Sequence, residues 1–193
     1  MLSALVEKKD ESGGMYMRTL LIGIGCGALL TFGAALAQDA PKPGPEQKNL
    51  GYFTGKWTSE AEMKPGPFGP GGKMTSTDTC EWFAGGFQLV CRGQGSGAMG
   101  SMTTLGIIAY NPAEKAYTYY GIDSTGMGDY SKGKKSGNTW TFTSKSEMNG
   151  KPFHSRYTMV EGSPTAYTYK WEMSEDGTKW ATMMEGKSTK KTE

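Results

Sequence analysis

Thr79-Cys80-Glu81-Trp82-Phe83-Ala84-Gly85-Gly86-Phe87-Gln88-Leu89-Val90-Cys91 reads as two short strands joined at a pair of glycines. Gly85-Gly86 can supply the positive φ angles that a tight antiparallel turn demands. If those two residues form the turn, Ala84 faces Phe87, Trp82 faces Leu89 and Cys80 faces Cys91. Directly opposed residues of an antiparallel pair sit about 4.5–5.5 Å apart at Cα, which is within reach of a disulfide. A bridge is therefore expected between Cys80 and Cys91, worth roughly 2–3 kcal/mol through the small loop it closes. No C-x-x-C is present and nothing beside either cysteine would depress a thiol pKa, so the pair reads as structural.

The same grammar extends in both directions. Runs rich in Thr, Tyr, Trp, Phe and Met are broken by Gly, Asn and Asp every 8–12 residues or so, the all-β pattern. Ten strands are predicted, at 55–63, 74–83, 87–95, 101–110, 116–122, 127–133, 138–145, 153–160, 165–174 and 178–188. Asn111-Pro112, Asn149-Gly150, Gly162-Ser163-Pro164 and Asp176-Gly177 carry turn chemistry between them. Period-2 alternation is clear where Tyr167, Tyr169, Trp171 and Met173 share one face and Thr168, Lys170 and Glu172 the other. Trp57, Ser59, Ala61 and Met63 alternate likewise against Thr58, Glu60 and Glu62. With every link short, each strand pairs with the next. The expected fold is an all-β, up-and-down antiparallel meander of about ten strands, closed or nearly so, because closure removes exposed edges.

Upstream of the strands the chain changes character. Met17-Arg18, an uncharged apolar run from Leu20 to Leu36, and Ala35-Leu36-Ala37 read as the basic, apolar and cleavage regions of a signal peptide over 17–37. The run is near the lower length limit for a membrane span and is interrupted by glycines, which favours cleavage over anchoring. Residues 1–16 hold Glu7, Asp10 and Glu11, unsuited to a leader, and read as an over-long extension. Residues 38–49 are rich in Pro and polar residues and are expected to be a disordered linker; 50–188 form the domain and 189–193 a polar tail. The expected location is exported, periplasmic or secreted, with no stable membrane span after cleavage. Cleavage after Ala37 removes three acidic and three basic residues over 1–37, so the mature charge stays at +2. That balance, without a basic cluster interleaved with aromatics, argues against a nucleic-acid partner. Two cysteines in an oxidising compartment agree with the disulfide.

Phe53-Thr54-Gly55-Lys56-Trp57 contains the G-x-W of the first strand of lipocalins and related calycin barrels. More specifically, the chain from 50 to 188 resembles the bacterial family known as domain of unknown function 1579. The resemblance is carried by Leu50 to Trp57, the insert Lys64-Pro65-Gly66-Pro67, the Gly85-Gly86 hairpin, Met102 to Pro112 and Asp176-Gly177-Thr178-Lys179-Trp180. It implies a lipocalin-like barrel and transfers no catalytic residue. True lipocalins place an Arg of the last strand over the Trp; only Lys187, Lys190 and Lys191 stand near that position in this sequence.

The residues offer little chemistry. His154 is the sole histidine and alternates away from Phe153, Tyr157 and Met159, so it reads as a surface residue rather than a haem ligand. A serine hydrolase would need a triad and usually a G-x-S-x-G, which is absent. Zinc would need several close His or Cys ligands. Met99 and Met102, in a Gly/Ser loop, are the one place where Cu(I) would be entertained, although Met at strand spacing usually fills a core. No enzyme, metal or cofactor is therefore predicted. The expected role is binding of a small hydrophobic or aromatic ligand inside the barrel, against Trp57, Trp82, Trp140, Tyr157, Tyr167, Tyr169 and Trp171. The alternative is a ligand-free structural or interaction barrel whose aromatics form a solid core. The insert 64–73, centred on Phe68, reads as a connector or a rim loop. Oligomeric state is not readable from these patterns.

Overall fold

The computed structural model describes residues 41–98, 100–148 and 150–191. The signal peptide and the extension before it lie outside the described residues, as does Met99. Ten strands form a closed barrel in which each pairs antiparallel with the next and the last with the first. They are β1 (Gly55–Met63), β2 (Gly72–Trp82), β3 (Gln88–Gly97), β4 (Gly100–Asn111), β5 (Ala116–Asp123), β6 (Gly128–Ser136), β7 (Thr139–Met148), β8 (Lys151–Ser163), β9 (Ala166–Ser174) and β10 (Ala181–Lys190). The up-and-down all-β expectation therefore holds strand by strand. Among the described residues no helix is long and apolar enough to cross a membrane.

The glycine hairpin keeps the expected register and widens the expected turn. Trp82 pairs with Leu89 and Cys80 with Cys91, and the two cysteines are bonded. The strands end earlier than a two-residue turn requires, because Gly86 N donates to the Phe83 carbonyl and Phe83 N to that of Gln88. Gly85 and Gly86 both take positive φ, at 89° and 73°, as the loop demands.

Strand ends shift by up to three residues, β10 for instance beginning at Ala181 rather than 178, and two domain boundaries move. The linker expectation for 38–49 is corrected over its second half, where Pro45–Asn49 forms a short helix, α1, followed by a 3-10 turn over Leu50–Phe53. Pro45 suits the first helical position, and the Gln47 side chain accepts from Gly44 N at 3.0 Å. Five residues cannot hold a helix alone; tertiary contacts hold this one. Leu50 and Phe53 are buried, Asn49 Nδ2 donates to the Tyr117 hydroxyl, and that hydroxyl donates to the Glu46 carbonyl. The tail expectation for 189–193 is also corrected, since β10 continues to Lys190, which pairs with Trp57.

Together α1 and the 3-10 turn plug one end of the barrel. Trp57 Nε1 donates to the Phe53 carbonyl at 2.9 Å, and the Tyr52 hydroxyl lies 2.9 Å from the carbonyls of Ser163 and Ala166. Lys190 places its ammonium 5.0 Å from the centre of the Trp57 ring and donates to the Tyr52 carbonyl. A lysine thus occupies the role that the lipocalin pattern gives to arginine. Above the plug, Leu50, Phe53, Leu89, Ile108, Tyr117, Trp140 and Phe142 form a dry cluster. Trp140 is held in it by a 2.6 Å bond from Nε1 to Glu161, which also pairs with Lys135. This half of the barrel is a filled hydrophobic core.

Candidate functional site

The other half is built from different residues. Alternation turns Gly93, Gly95 and Gly97 of β3, Gly106 of β4, Gly121 of β5 and Gly186 of β10 inward. Ser76, Ser131, Ser144 and Ser155 face inward on four further strands. Eight strands already enclose room for side chains to fill; ten strands lined by glycine and serine enclose more than these residues occupy. The glycines also keep the large neighbours flat against the wall. A Cβ on Gly106 or Gly121 would strike the Tyr119 ring, one on Gly186 the Tyr169 ring, and one on Gly93 the Asp78 carboxylate and Thr104 hydroxyl. Those side chains therefore lie along the strands instead of projecting to the barrel axis.

Exposure agrees. Ser76, Asp78, Thr104, Tyr119, Ser155, Tyr157 and Trp171 all face inward, yet each is only partly buried. Tyr157 faces inward from β8 and still keeps accessible surface, as a ring bordering the space left by the inward glycines and serines does. That space is the chamber. The mouth lies at the end away from α1. There the insert between β1 and β2 folds over the edge and sets Phe68 5.1 Å from Trp171, ring to ring. Gly66 sits against the buried Met183, and Lys64 N donates to the Met183 carbonyl. Phe68 is thus a rim residue packed at a tilt against the chamber wall.

Chamber electrostatics centre on Asp78. Burial pushes its carboxyl above the usual range, and a hydrogen bond from the Ser76 hydroxyl at 3.1 Å only partly offsets this. Burial and then neighbouring charge raise Tyr157 well above its ordinary value. Burial also pushes Tyr167 and Tyr169 up to about 12, against hydrogen bonds with Ser188 and Ser59 respectively. All of these hydroxyls stay protonated at neutral pH and act as neutral hydrogen-bonding groups.

The seven predicted site residues divide between the two halves. Trp57 and Trp140 are buried in the plugged half, where Tyr167 packs on Trp57 at 4.9 Å. Tyr157 and Tyr169 stack 5.6 Å apart where the core meets the chamber; Tyr169 belongs to the buried cluster and Tyr157 packs against it. Trp171 stands beside Tyr157 and donates from Nε1 to Ser155 at 2.8 Å. Trp82 lies outside the chamber, 40% exposed at the plugged rim beside Gly51. Asp78, Ser76, Tyr119 and Thr104 were missed by sequence reasoning. The signal was available: Ser76 and Asp78 alternate in phase with Cys80, whose face the hairpin had already turned inward.

Elsewhere the structure supplies less. His154 faces outward with its ring over Gly177, and Arg156 bonds Glu172 at 2.8 Å beneath the Trp180 ring. No group of three or more His, Cys, Asp or Glu gathers among the described residues. A groove of about 850 Å³ crosses the outer wall over β1, β2, β8, β9 and β10. Its charges are of both signs and pair across it, as Lys187 does with Glu60 at 3.3 Å in full view of solvent. It therefore lacks the buried, unmatched polar groups that give a site selectivity, and the chamber is the stronger candidate. An apolar stripe formed by Ile107, Tyr120, Ile122 and Tyr130 also lies on the outer wall.

Comparison with known proteins follows the fold. No curated protein matches this sequence. The crystal structure of Rv2717c from M. tuberculosis superposes with a TM-score of 0.56 at 12% identity, covering 78% of this chain and all of that one. The S-type phycobiliprotein lyase CPES from Guillardia theta superposes with a TM-score of 0.55 at 8% identity, covering 77% and 93%. At such identities the likeness is one of fold, and it agrees with a lipocalin-like barrel. The family described as "Protein of unknown function (DUF1579)" matches residues 42–190, nearly all of the barrel with its helical plug, and the chain belongs to that family.

Proposed function

We propose that this is an exported binding protein that holds a small apolar or aromatic molecule inside its barrel. One observation carries the reading: inward-facing side chains of the half away from α1, Asp78, Tyr119 and Tyr157 among them, keep accessible surface. Rings that lie flat on a glycine wall offer a stacking surface, and hydroxyls between them offer orientation, the usual composition of a small-molecule site. Export is supported by the leader pattern at 17–37 and by a disulfide, which persists in an oxidising compartment.

The test is fluorescence enhancement of the neutral probe N-phenyl-1-naphthylamine by the purified protein. The expected result is saturable enhancement that is lost in Gly95→Trp. Gly95 has ordinary backbone geometry, and a Cβ there would make ordinary contacts, 3.4 Å from the Thr75 carbonyl oxygen and 3.5 Å from Ser76 Cβ, so the indole is directed into the chamber. The variant also separates the chamber from the apolar stripe on the outer wall. No enhancement by the wild type, or equal enhancement by a folded Gly95→Trp, would overturn the reading.

A further inference from the structure

The chamber contains an acid without a base. Asp78 takes part in no salt bridge among the described residues; its one hydrogen-bonding side-chain partner is the neutral Ser76. Burying a carboxylate is costly unless a counter-charge or donors match it. Of the lysines in inward register, Lys190 and Lys135 belong to the plugged end, and Lys151 stands exposed at the first position of β8, at the mouth. Lys190 is bound to the Tyr52 carbonyl, with Trp57 between it and Asp78 in register. Lys135 is paired with Glu161 beside Trp140. Arg156 faces outward and is committed to Glu172. Toward the mouth the acidic residues in inward register are Asp129, opposite Gly121, and Asp123, opposite Thr104. Deep in the chamber the unpaired charge is therefore that of Asp78, and it reaches Tyr119, Tyr157, Tyr167 and Tyr169.

Aromatic faces around a lone carboxylate suit one ligand chemistry. Ring faces attract a cation through their quadrupole, and a carboxylate forms its strongest hydrogen bonds with a charged donor. A metal ion would want more ligands than one carboxylate, and no cluster of His, Cys, Asp or Glu supplies them among the described residues. We propose that the chamber selects an organic cation, with a protonated amine on the Asp78 carboxylate and an apolar or aromatic body against Tyr157, Tyr169 and Trp171. Gly93 is part of this arrangement, because any side chain there would collide with the Asp78 carboxylate. The inference rests on the binding role proposed above and adds the charge of the ligand.

Three compounds of one shape test it: tryptamine, tryptophol and indole-3-acetate, titrated calorimetrically into wild type and Asp78→Asn at neutral pH. In the wild type, tryptamine should bind about tenfold or more tighter than tryptophol, the size of one charge-assisted contact, with indole-3-acetate weakest. In Asp78→Asn, tryptamine and tryptophol should bind about equally while tryptophol keeps its wild-type affinity. Tryptophol matching tryptamine in the wild type, indole-3-acetate binding best, or a preference that survives in Asp78→Asn would each overturn the proposal. The wild-type ranking decides the matter even if the variant fails to fold. N-phenyl-1-naphthylamine separates the two levels: if it binds and no amine preference appears, the charge assignment alone fails. If it does not bind in the chamber, the binding role fails with it.

Discussion

Replacing Phe53 by alanine tests whether the plug is part of the barrel core. The ring is 5% exposed and lies edge-on to Trp140 at 5.1 Å, to Tyr52 at 5.2 Å and to Tyr167 at 6.0 Å. The Phe53 carbonyl, which accepts from Trp57, is backbone and survives the change, so the substitution isolates ring packing. Losing the transfer free energy of a buried aromatic side chain costs about 2 kcal/mol. The surroundings then decide how much the cavity adds. Tyr52 is tethered by its hydroxyl to the rim carbonyls and Trp140 by its indole to Glu161, so neither can swing into the hole. The total should be about 4 kcal/mol, in the upper part of the usual range for Phe to Ala. For a domain of this size that lowers Tm by roughly 10 °C. Urea unfolding followed by tryptophan fluorescence measures it, with Phe83→Ala as control. Phe83 is 59% exposed on the hairpin tip, and its loss should stay within about 0.5 kcal/mol. A cost for Phe53→Ala below about 1 kcal/mol, or one equal to the control, would show that residues 45–53 are a loosely attached linker.

Three other outcomes are expected. Replacing Cys80 and Cys91 together by serine should cost about 3 kcal/mol in denaturant, the loop-closure value for an 11-residue separation; peptide mapping of oxidised protein that found two free thiols would contradict it. Gly186→Ala should destabilise by about 1–3 kcal/mol, because the added Cβ meets the Glu60 carbonyl oxygen and the Tyr169 ring together; an unchanged Tm would show that the wall can give. Burial raises the Asp78 carboxyl above its unfolded value, so the folded state holds that proton more tightly and this group's contribution is lost as pH climbs through the folded pKa. Ligand-free Asp78→Asn should accordingly gain stability relative to wild type as pH rises from the ordinary carboxylate range toward neutrality, and a flat or falling difference between unfolding curves would refute this.

The barrel was legible because its signals are local. Asp176-Gly177, Asn111-Pro112 and the glycine pair mark their own turns, and alternation through Tyr167, Tyr169 and Trp171 orients a whole strand. Pairing of Cys80 with Cys91 follows from counting outward from Gly85-Gly86, and a wider turn leaves that register untouched. The plug was not legible, because Pro, Lys and Gln from 41 to 48 have a linker's composition. What orders them is the fit of Leu50 and Phe53 over Trp140 and the bonds to Tyr117, partners distant in the chain. Trp82 misled for a related reason: its phase points inward, but its place at the strand end leaves it on the rim.

Order and pairing of the ten strands, the disulfide and the inward phase of each residue were thus contained in the chain, since each depends on neighbours a few residues away. Whether the aromatics fill the barrel or line a space was not, because that depends on which inward residues meet at the same height. Closure brings Trp57, Trp140 and Phe53 together at one end and leaves glycine and serine facing one another at the other. Closure also sets Asp78 among tyrosines and, among the described residues, in no salt bridge, a relation between strands far apart in sequence that no local pattern encodes.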